Sequence, residues 1–321
     1  MWVTKTPLRV SLAGGGTDLP AYYEERDFGA VISFALAKHI YICSEAYHDA
    51  SRTRFQYSKT ETVGSCKDFE NPIVKEVLSY LKLGNGFQFA SISNVPGGTG
   101  LGSSSAFCVA LLSNVAALLG RPLSQLAAAD LACHVEIDRL GEPIGKQDQY
   151  GCALGGIKKI EFTKDSVGVT NVPLPSDVIS QLQNHFVLVR VGKVRSASRI
   201  LQEVQRGGDV NFASLDEIRA HVPIMESFLA SGDVEMIGRL LDENWKLKKS
   251  LSKRVANEEI DELYDLFVPR YAYGGKLLGA GGSGFLLFVL REKHGDWIPE
   301  SIAGGIEGVR IDQVGVSSWE M

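Results

Sequence analysis

The chain has no basic excess: 33 Lys and Arg stand against 38 Asp and Glu, a net charge of −5 over 321 residues. A nucleic-acid binder normally shows a basic stripe, so the balance argues against nucleic acid as a partner. Cysteine is sparse as well. The five at positions 43, 66, 108, 133 and 152 are odd in number and form no CxxC pair, so buried reduced thiols are expected rather than a disulfide framework or a zinc site. The six histidines have no metal-ligand spacing. Long apolar runs are missing too: the longest, Ala106 to Leu119, is broken by Ser113 and Asn114 and is too short to span a bilayer. Met1 to Lys5 lacks the apolar core of a signal peptide, so a cytoplasmic protein with no membrane partner is expected.

What remains is ordinary for a soluble enzyme, 45% hydrophobic and 22% charged. Alternation of Leu8, Val10 and Leu12 with Arg9 and Ser11 predicts an opening strand, ending in a Gly14–Asp18 loop. Further strands are expected at 30–36, 39–46, 53–57, 87–93, 157–162, 186–191, 285–290 and 308–313. Helices are expected at 71–83, 104–119 and 125–140, then near 196–206, 212–231, 233–252 and 257–269, with 145–156 rich in loop. Strands and helices mix without regular βαβ alternation, which favours an α+β fold. The Pro-rich stretch at 172–176 suggests two domains, 1–175 and 176–321.

The most informative segment is Pro96-Gly97-Gly98-Thr99-Gly100-Leu101-Gly102-Ser103-Ser104-Ser105-Ala106. A glycine-rich loop feeding a helix N-terminus presents backbone N–H groups and a favourable dipole to an anion, so a phosphate ligand is expected. A P-loop needs a Lys before its Ser, and neither glycine cluster has one. A GxGxxG string occurs at Gly279–Gly284, but a strand follows it instead of a helix, which removes the dinucleotide reading.

The string Pro-x-x-x-Gly-Leu-Gly-Ser-Ser-x-Ala resembles the nucleotide-binding loop of the GHMP kinases, a superfamily of small-molecule kinases. Two further segments agree in order: Thr6–Asp18 resembles the first motif of that family and Lys276–Gly284 its third, so the likeness spans nearly the whole chain. It implies a two-domain fold, the N-terminal part of the ribosomal protein S5 domain 2-like type and the C-terminal part ferredoxin-like. It also implies ATP and Mg²⁺, and a homodimer is left open. Galactokinase-like members carry Glu-His where this chain has Gly15-Gly16. The triple glycine before Thr17-Asp18 resembles the D-glycero-D-manno-heptose 7-phosphate kinase branch instead.

By that resemblance the loop from Pro96 through Gly97, Gly98, Gly100, Gly102, Ser103, Ser104 and Ser105 cradles the phosphates. Ser104 and Glu136 would hold Mg²⁺. Asp148, in Gly145-Lys146-Gln147-Asp148-Gln149, would take the proton of the attacking hydroxyl or orient it, with Arg9 between it and the phosphoryl group. Gly15, Gly16, Thr17, Asp18, Gly281 and Gly282 would face the sugar. Lys193, Arg195 and Arg199, clustered around Ser196 and Ser198 before a helix, are the candidates for the substrate's own phosphate. Helix capping at Ser103, a solvated Glu136 and a plain basic helix start are the bland alternatives. The implied reaction is phosphorylation of a sugar phosphate at C1 to a 1,7-bisphosphate, which feeds nucleotide-activated heptose and surface polysaccharide. A fucokinase- or galactokinase-type sugar 1-kinase and a non-catalytic nucleotide- or sugar-binding regulator stand as alternatives.

Overall fold

The computed structural model describes residues 1–192, 211–252, 254–293 and 305–321. The helix expected near 196–206 and the basic cluster Lys193, Arg195 and Arg199 lie outside them.

An eight-stranded sheet forms the larger layer. Its main path runs β12 (Ser317–Glu320), β1 (Trp2–Ala13), β2 (Gly29–Ala46), β5 (Phe87–Ser93), β3 (Thr53–Gln56) and β4 (Thr60–Val63). β6 (Ile157–Phe162) adds to β2, and β7 (Val167–Asn171) to β6. The two strands expected at 30–36 and 39–46 are one 18-residue strand, β2. Its register against β1 slips between Pro7↔His39 and Leu8↔Leu36, a bulge at Ala37-Lys38 that interrupts the alternation read from sequence. The N-terminal half of β2 carries β6 and its C-terminal half carries β5.

Helix α3 (Ser103–Leu118) lies on this sheet with most residues from Ser105 to Ala117 buried, which is why its apolar residues show no single stripe. α1 (Pro20–Tyr23), α2 (Pro72–Tyr80), α4 (Gln125–Cys133) and α5 (Gln147–Ala153) complete the first half. α5 corrects the loop expected at 145–156. The glycine density there reads as a loop, but Gly151 serves close packing: a Cβ on it would stand 3.1 Å from Arg9 Cβ on β1.

The second sheet is antiparallel, ordered β11 (Ile306–Gly308), β8 (Phe186–Val191), β10 (Gly284–Leu290), β9 (Ala272–Leu277). α6 (Ser176–His185), α7 (Phe212–Ser231), α8 (Val234–Leu251) and α9 (Glu258–Phe267) accompany it. Trp245, Phe267 and Phe288 are fully or almost fully buried in its core. Where a strand is expected at 308–313, β11 ends at Gly308, and further on the Asp312 carboxylate accepts the N–H groups of Val314 and Gly315, both at 2.8 Å, in a turn. That turn delivers β12 back to β1. The glycines at 279, 281 and 282 lie in the loop between β9 and β10, so a strand and not a helix follows them, against the dinucleotide reading. All five cysteines are free, four of them buried. Among the described residues, no helix is long and apolar enough to cross a membrane.

Candidate active site

Between the two sheets lies a cleft of about 340 Å³. Its floor begins with α3, whose N-cap is Gly102 in the left-handed region (φ 74°) and has no side-chain cap. The N–H groups of the first turn therefore keep no capping partner within the helix, the arrangement that favours an anion. Gly98, Gly100, Gly102, Ser103, Ser104 and Ser105 all line the cleft. Pro96 and Gly97 are exposed and do not.

Ser104 Oγ donates to Glu136 Oε1 at 3.1 Å, and Gln149 Nε2 donates to Glu136 Oε2 at 2.8 Å. The helix expected over 125–140 is α-helical only to Cys133 and continues as a π-turn, His134–Arg139, that carries Glu136. Such turns are frequent at functional sites. Glu136 is buried, not solvated. Burial pushes its carboxyl up to about 7, against the hydrogen bonds of Ser105, Gln149 and Ser104.

Asp148, in the first turn of α5, meets Arg9 in a fork. Arg9 Nε and Nη2 donate to the carboxylate at 2.8 and 2.7 Å, while Nη1 donates to the carbonyl of Gly100 at 2.6 Å. One buried guanidinium thus ties the acidic side chain to the glycine-rich loop. Burial opposes its charge, but the Asp148 carboxylate overrides that and holds Arg9 above the usual arginine value.

Asp18 sits beside this pair. Its oxygens accept from Gly16 N at 3.0 Å, Gln147 N at 3.2 Å and Gln147 Nε2 at 2.9 Å. Burial, and then the nearby Asp148 charge, raise it to about 6 despite those donors. Gly15 and Gly16 line the cleft. A Cβ on Gly15 would face Ser11 Oγ at 3.5 Å and Gln147 at 3.8 Å. Ser11 Oγ and Gln147 Oε1 are buried polar atoms with no protein partner.

Two expectations are corrected. Thr17 does not face the cleft: fully buried, its Oγ1 lies between the carbonyls of Gly14 (2.8 Å) and Ala30 (2.9 Å) and accepts from Ala30 N, bracing the loop against β2. Gly281 and Gly282 pack on Val255, with Gly282 N on its carbonyl at 2.9 Å, and it is Val255, Gly279 and Ala280 that line the cleft.

Two lining lysines carry no role in the sequence reading. Lys276 Nζ donates to Asn244 Oδ1 at 2.9 Å and to the Leu12 carbonyl at 3.3 Å. Lys248 Nζ donates to the carbonyls of Leu277 (2.9 Å) and Gly279 (2.5 Å). Lys248 lies in a helix with Lys246 and Lys249, where composition cannot separate a buried lysine from solvated ones. A lone lysine inside the stretch Ala272–Leu278 is the available signal for Lys276, but Gly274-Gly275 hides the strand.

Two family models match the chain: the GHMP kinases N terminal domain over residues 72–156 and the GHMP kinases C terminal domain over residues 224–296. The chain belongs to the GHMP kinases. As a GHMP kinase it is an ATP-dependent phosphotransferase. It is similar to a D-glycero-alpha-D-manno-heptose 7-phosphate kinase of Campylobacter jejuni, 28% identical, with 99% of this chain and 98% of that protein covered. It is 25% identical to a galactokinase of Pyrococcus furiosus, over 93% and 91% of the two chains. A solved D-glycero-D-manno-heptose 1-phosphate kinase from Bacteroides thetaiotaomicron shares the fold, with a TM-score of 0.81 at 23% identity, covering 100% of this chain and 99% of that one.

Proposed function

We propose that this kinase phosphorylates the C1 hydroxyl of D-glycero-D-manno-heptose 7-phosphate, giving the 1,7-bisphosphate, a step towards nucleotide-activated heptose for surface polysaccharide. The observation that carries the reading is the Arg9–Asp148 fork, tied to the glycine-rich loop at Gly100 and flanked by Asp18. It sets a carboxylate, a guanidinium and a phosphate cradle around one space. Phosphoryl transfer asks a protein mainly for such positioning and charge stabilisation.

In this reading the sugar hydroxyl donates its proton to Asp148 while its oxygen forms the new bond to the γ-phosphorus, and the bond from phosphorus to the β–γ bridging oxygen breaks to release ADP. Arg9 faces the charge that develops on the transferred group. Asp18 would accept hydrogen bonds from sugar hydroxyls. Ser104 Oγ and Glu136 are hard oxygen donors 3.1 Å apart at the foot of the loop. They fit a magnesium ion that keeps phosphates and waters as its other ligands. When bound, the ion would neutralise phosphate charge and would favour the ionised form of Glu136, whose carboxyl burial pushes up to about 7. Gly15 and Gly16 line the cleft without side chains where Glu-His would stand, which supports a larger acceptor than a plain hexose. The resemblance of the chain to the C. jejuni heptose 7-phosphate kinase supports the same acceptor.

The test is an ATP-consumption screen over free hexoses, hexose phosphates and heptose 7-phosphate. The expected result is a kcat/KM highest for heptose 7-phosphate. A free hexose preferred over it would turn the assignment to a galactokinase- or fucokinase-type enzyme. Tight nucleotide binding with no turnover on any sugar would favour the regulator.

A further inference from the structure

Two ammonium groups in the cleft lack the counter-charge that the other buried ions have. Arg9 has Asp148, but Lys276 and Lys248 have no carboxylate in ion-pair reach among the described residues. Lys276, on β9, rests on the Leu12 carbonyl of β1 and on Asn244 of α8. Behind Asn244 stands His221 of α7, its Nδ1 3.5 Å from Asn244 Nδ2. Lys248, on α8, rests on the carbonyls of Leu277 and Gly279. Among the described residues, the charges that act on them are cations: Arg9 on Lys276, and Lys276 and Arg9 on Lys248. Each ammonium has three N–H donors and spends two on these carbonyl and amide oxygens, leaving one unspent. Both side chains line the cleft.

The place is specific. The Leu278–Gly279 backbone beside Lys248 seats directly on Gly100, where a Cβ would stand 2.5 Å from the Leu278 carbonyl oxygen. Gly100 is also the carbonyl that Arg9 grips. Lys276 reaches the end of β1 that leads into the Gly14–Asp18 loop. The two lysines therefore bridge the nucleotide end of the cleft and the acceptor end. Burying two unpaired ammonium groups is costly, and a ligand of opposite charge is the natural compensation.

We infer that Lys276 and Lys248, with Arg9, form a phosphate-binding subsite at the junction of the glycine-rich loop and the acceptor pocket. This rests on the kinase reading and deepens it. The ligand is a phosphate dianion, from either of two sources: the γ-phosphate of ATP or a second phosphate bound beside ADP. Burial, and then Arg9, push Lys276 down to about 7, so at pH 8 it is largely neutral in the empty cleft. A dianion arriving there draws a proton onto it, and binding takes up a proton.

The experiment is calorimetry at pH 8, in two buffers of different ionisation enthalpy, without magnesium. Wild type, Lys276→Gln and Lys248→Met are titrated with ATP, with ADP, and with inorganic phosphate on the ADP-saturated enzyme. The glutamine removes the charge and keeps a polar head, one bond shorter than the lysine's. Wild type is expected to take up protons with the ligand that fills the subsite, and both variants to bind that ligand about tenfold to a hundredfold more weakly. A loss for ATP but not ADP assigns the γ-phosphate. A loss for inorganic phosphate with ATP intact assigns the second phosphate. The inference is overturned if folded variants bind all three as wild type does, or if proton uptake persists undiminished in both. If the variants fail to fold, wild-type uptake decides alone: none with any ligand overturns it. No readout needs a sugar to turn over, so failure of the sugar screen is a separate result.

Discussion

Asp148→Asn is the substitution that tests the centre of the site. The amide keeps the shape of the carboxylate, but it offers one acceptor where Arg9 now uses two, at 2.8 and 2.7 Å. One guanidinium N–H would face an NH₂ group and lose its bond. A charge-assisted bond is worth about 1.5–3 kcal/mol, and Asp148 is 27% exposed, so solvent takes up part of that loss. The stability cost should be about 1–2 kcal/mol. The chemical step loses more. Without a carboxylate to receive the hydroxyl proton, kcat should fall about 10²- to 10⁴-fold, roughly 3–5 kcal/mol of barrier. ATP affinity should hold, because Arg9 keeps its grip on the Gly100 carbonyl and the cradle is backbone. Steady-state ATP consumption, nucleotide titration by calorimetry and urea unfolding give the three numbers. A kcat within threefold of wild type would remove Asp148 from the mechanism. Equal losses in kcat and ATP affinity would show that the fork holds the loop and does no more.

Gly145→Ala should disturb the acceptor end alone, since its Cβ would stand 1.9 Å from Asp18 Oδ2. We expect a cost of about 1–3 kcal/mol and a raised acceptor KM, with ADP affinity unchanged by calorimetry; an unaltered KM would take Asp18 away from the substrate. Asp18 also gives a pH signature. Its carboxyl rises from 3.8 to about 6, so the folded protein holds that proton more tightly than the unfolded chain. This contribution to stability is complete below about pH 4 and is lost as pH climbs through 6, worth about 3 kcal/mol in all. Urea midpoints of wild type and Asp18→Asn between pH 4 and 8 should therefore diverge, and parallel curves would contradict the burial argument. Ser104→Ala should raise the Mg²⁺ concentration for half-maximal rate about tenfold, while ADP binding in EDTA stays as in wild type. An unchanged Mg²⁺ requirement would leave Ser104 as a brace for Glu136.

The nucleotide side of the cleft was legible in the sequence because its chemistry is backbone chemistry. Glycines and a helix start within eleven consecutive residues predict N–H groups aimed at an anion, and Gly102 caps α3 without a side chain in the way. Asp148 and Arg9 were legible by resemblance, but their fork was not, because it depends on α5. Gly151, which lets α5 approach β1, is one of the glycines that make 145–156 look unstructured. Thr17 was misplaced for a related reason: a hydroxyl after three glycines can serve a ligand or a neighbouring strand, and only the long β2, disguised as two strands by its bulge, decides for the strand. The π-turn under Glu136 leaves no periodic trace, since one extra residue in a turn is within the scatter of a short helix. The lysines mark the deepest limit. Nothing local distinguishes Lys248 from Lys246 two residues earlier, whose Nζ pairs with Asp242 at 2.6 Å on an exposed flank. What separates them is which face of α8 packs on β9, and that is settled by residues from both halves of the chain. The charge left over at Lys276 and Lys248 follows from packing, so their role can be argued only once the two sheets are placed together.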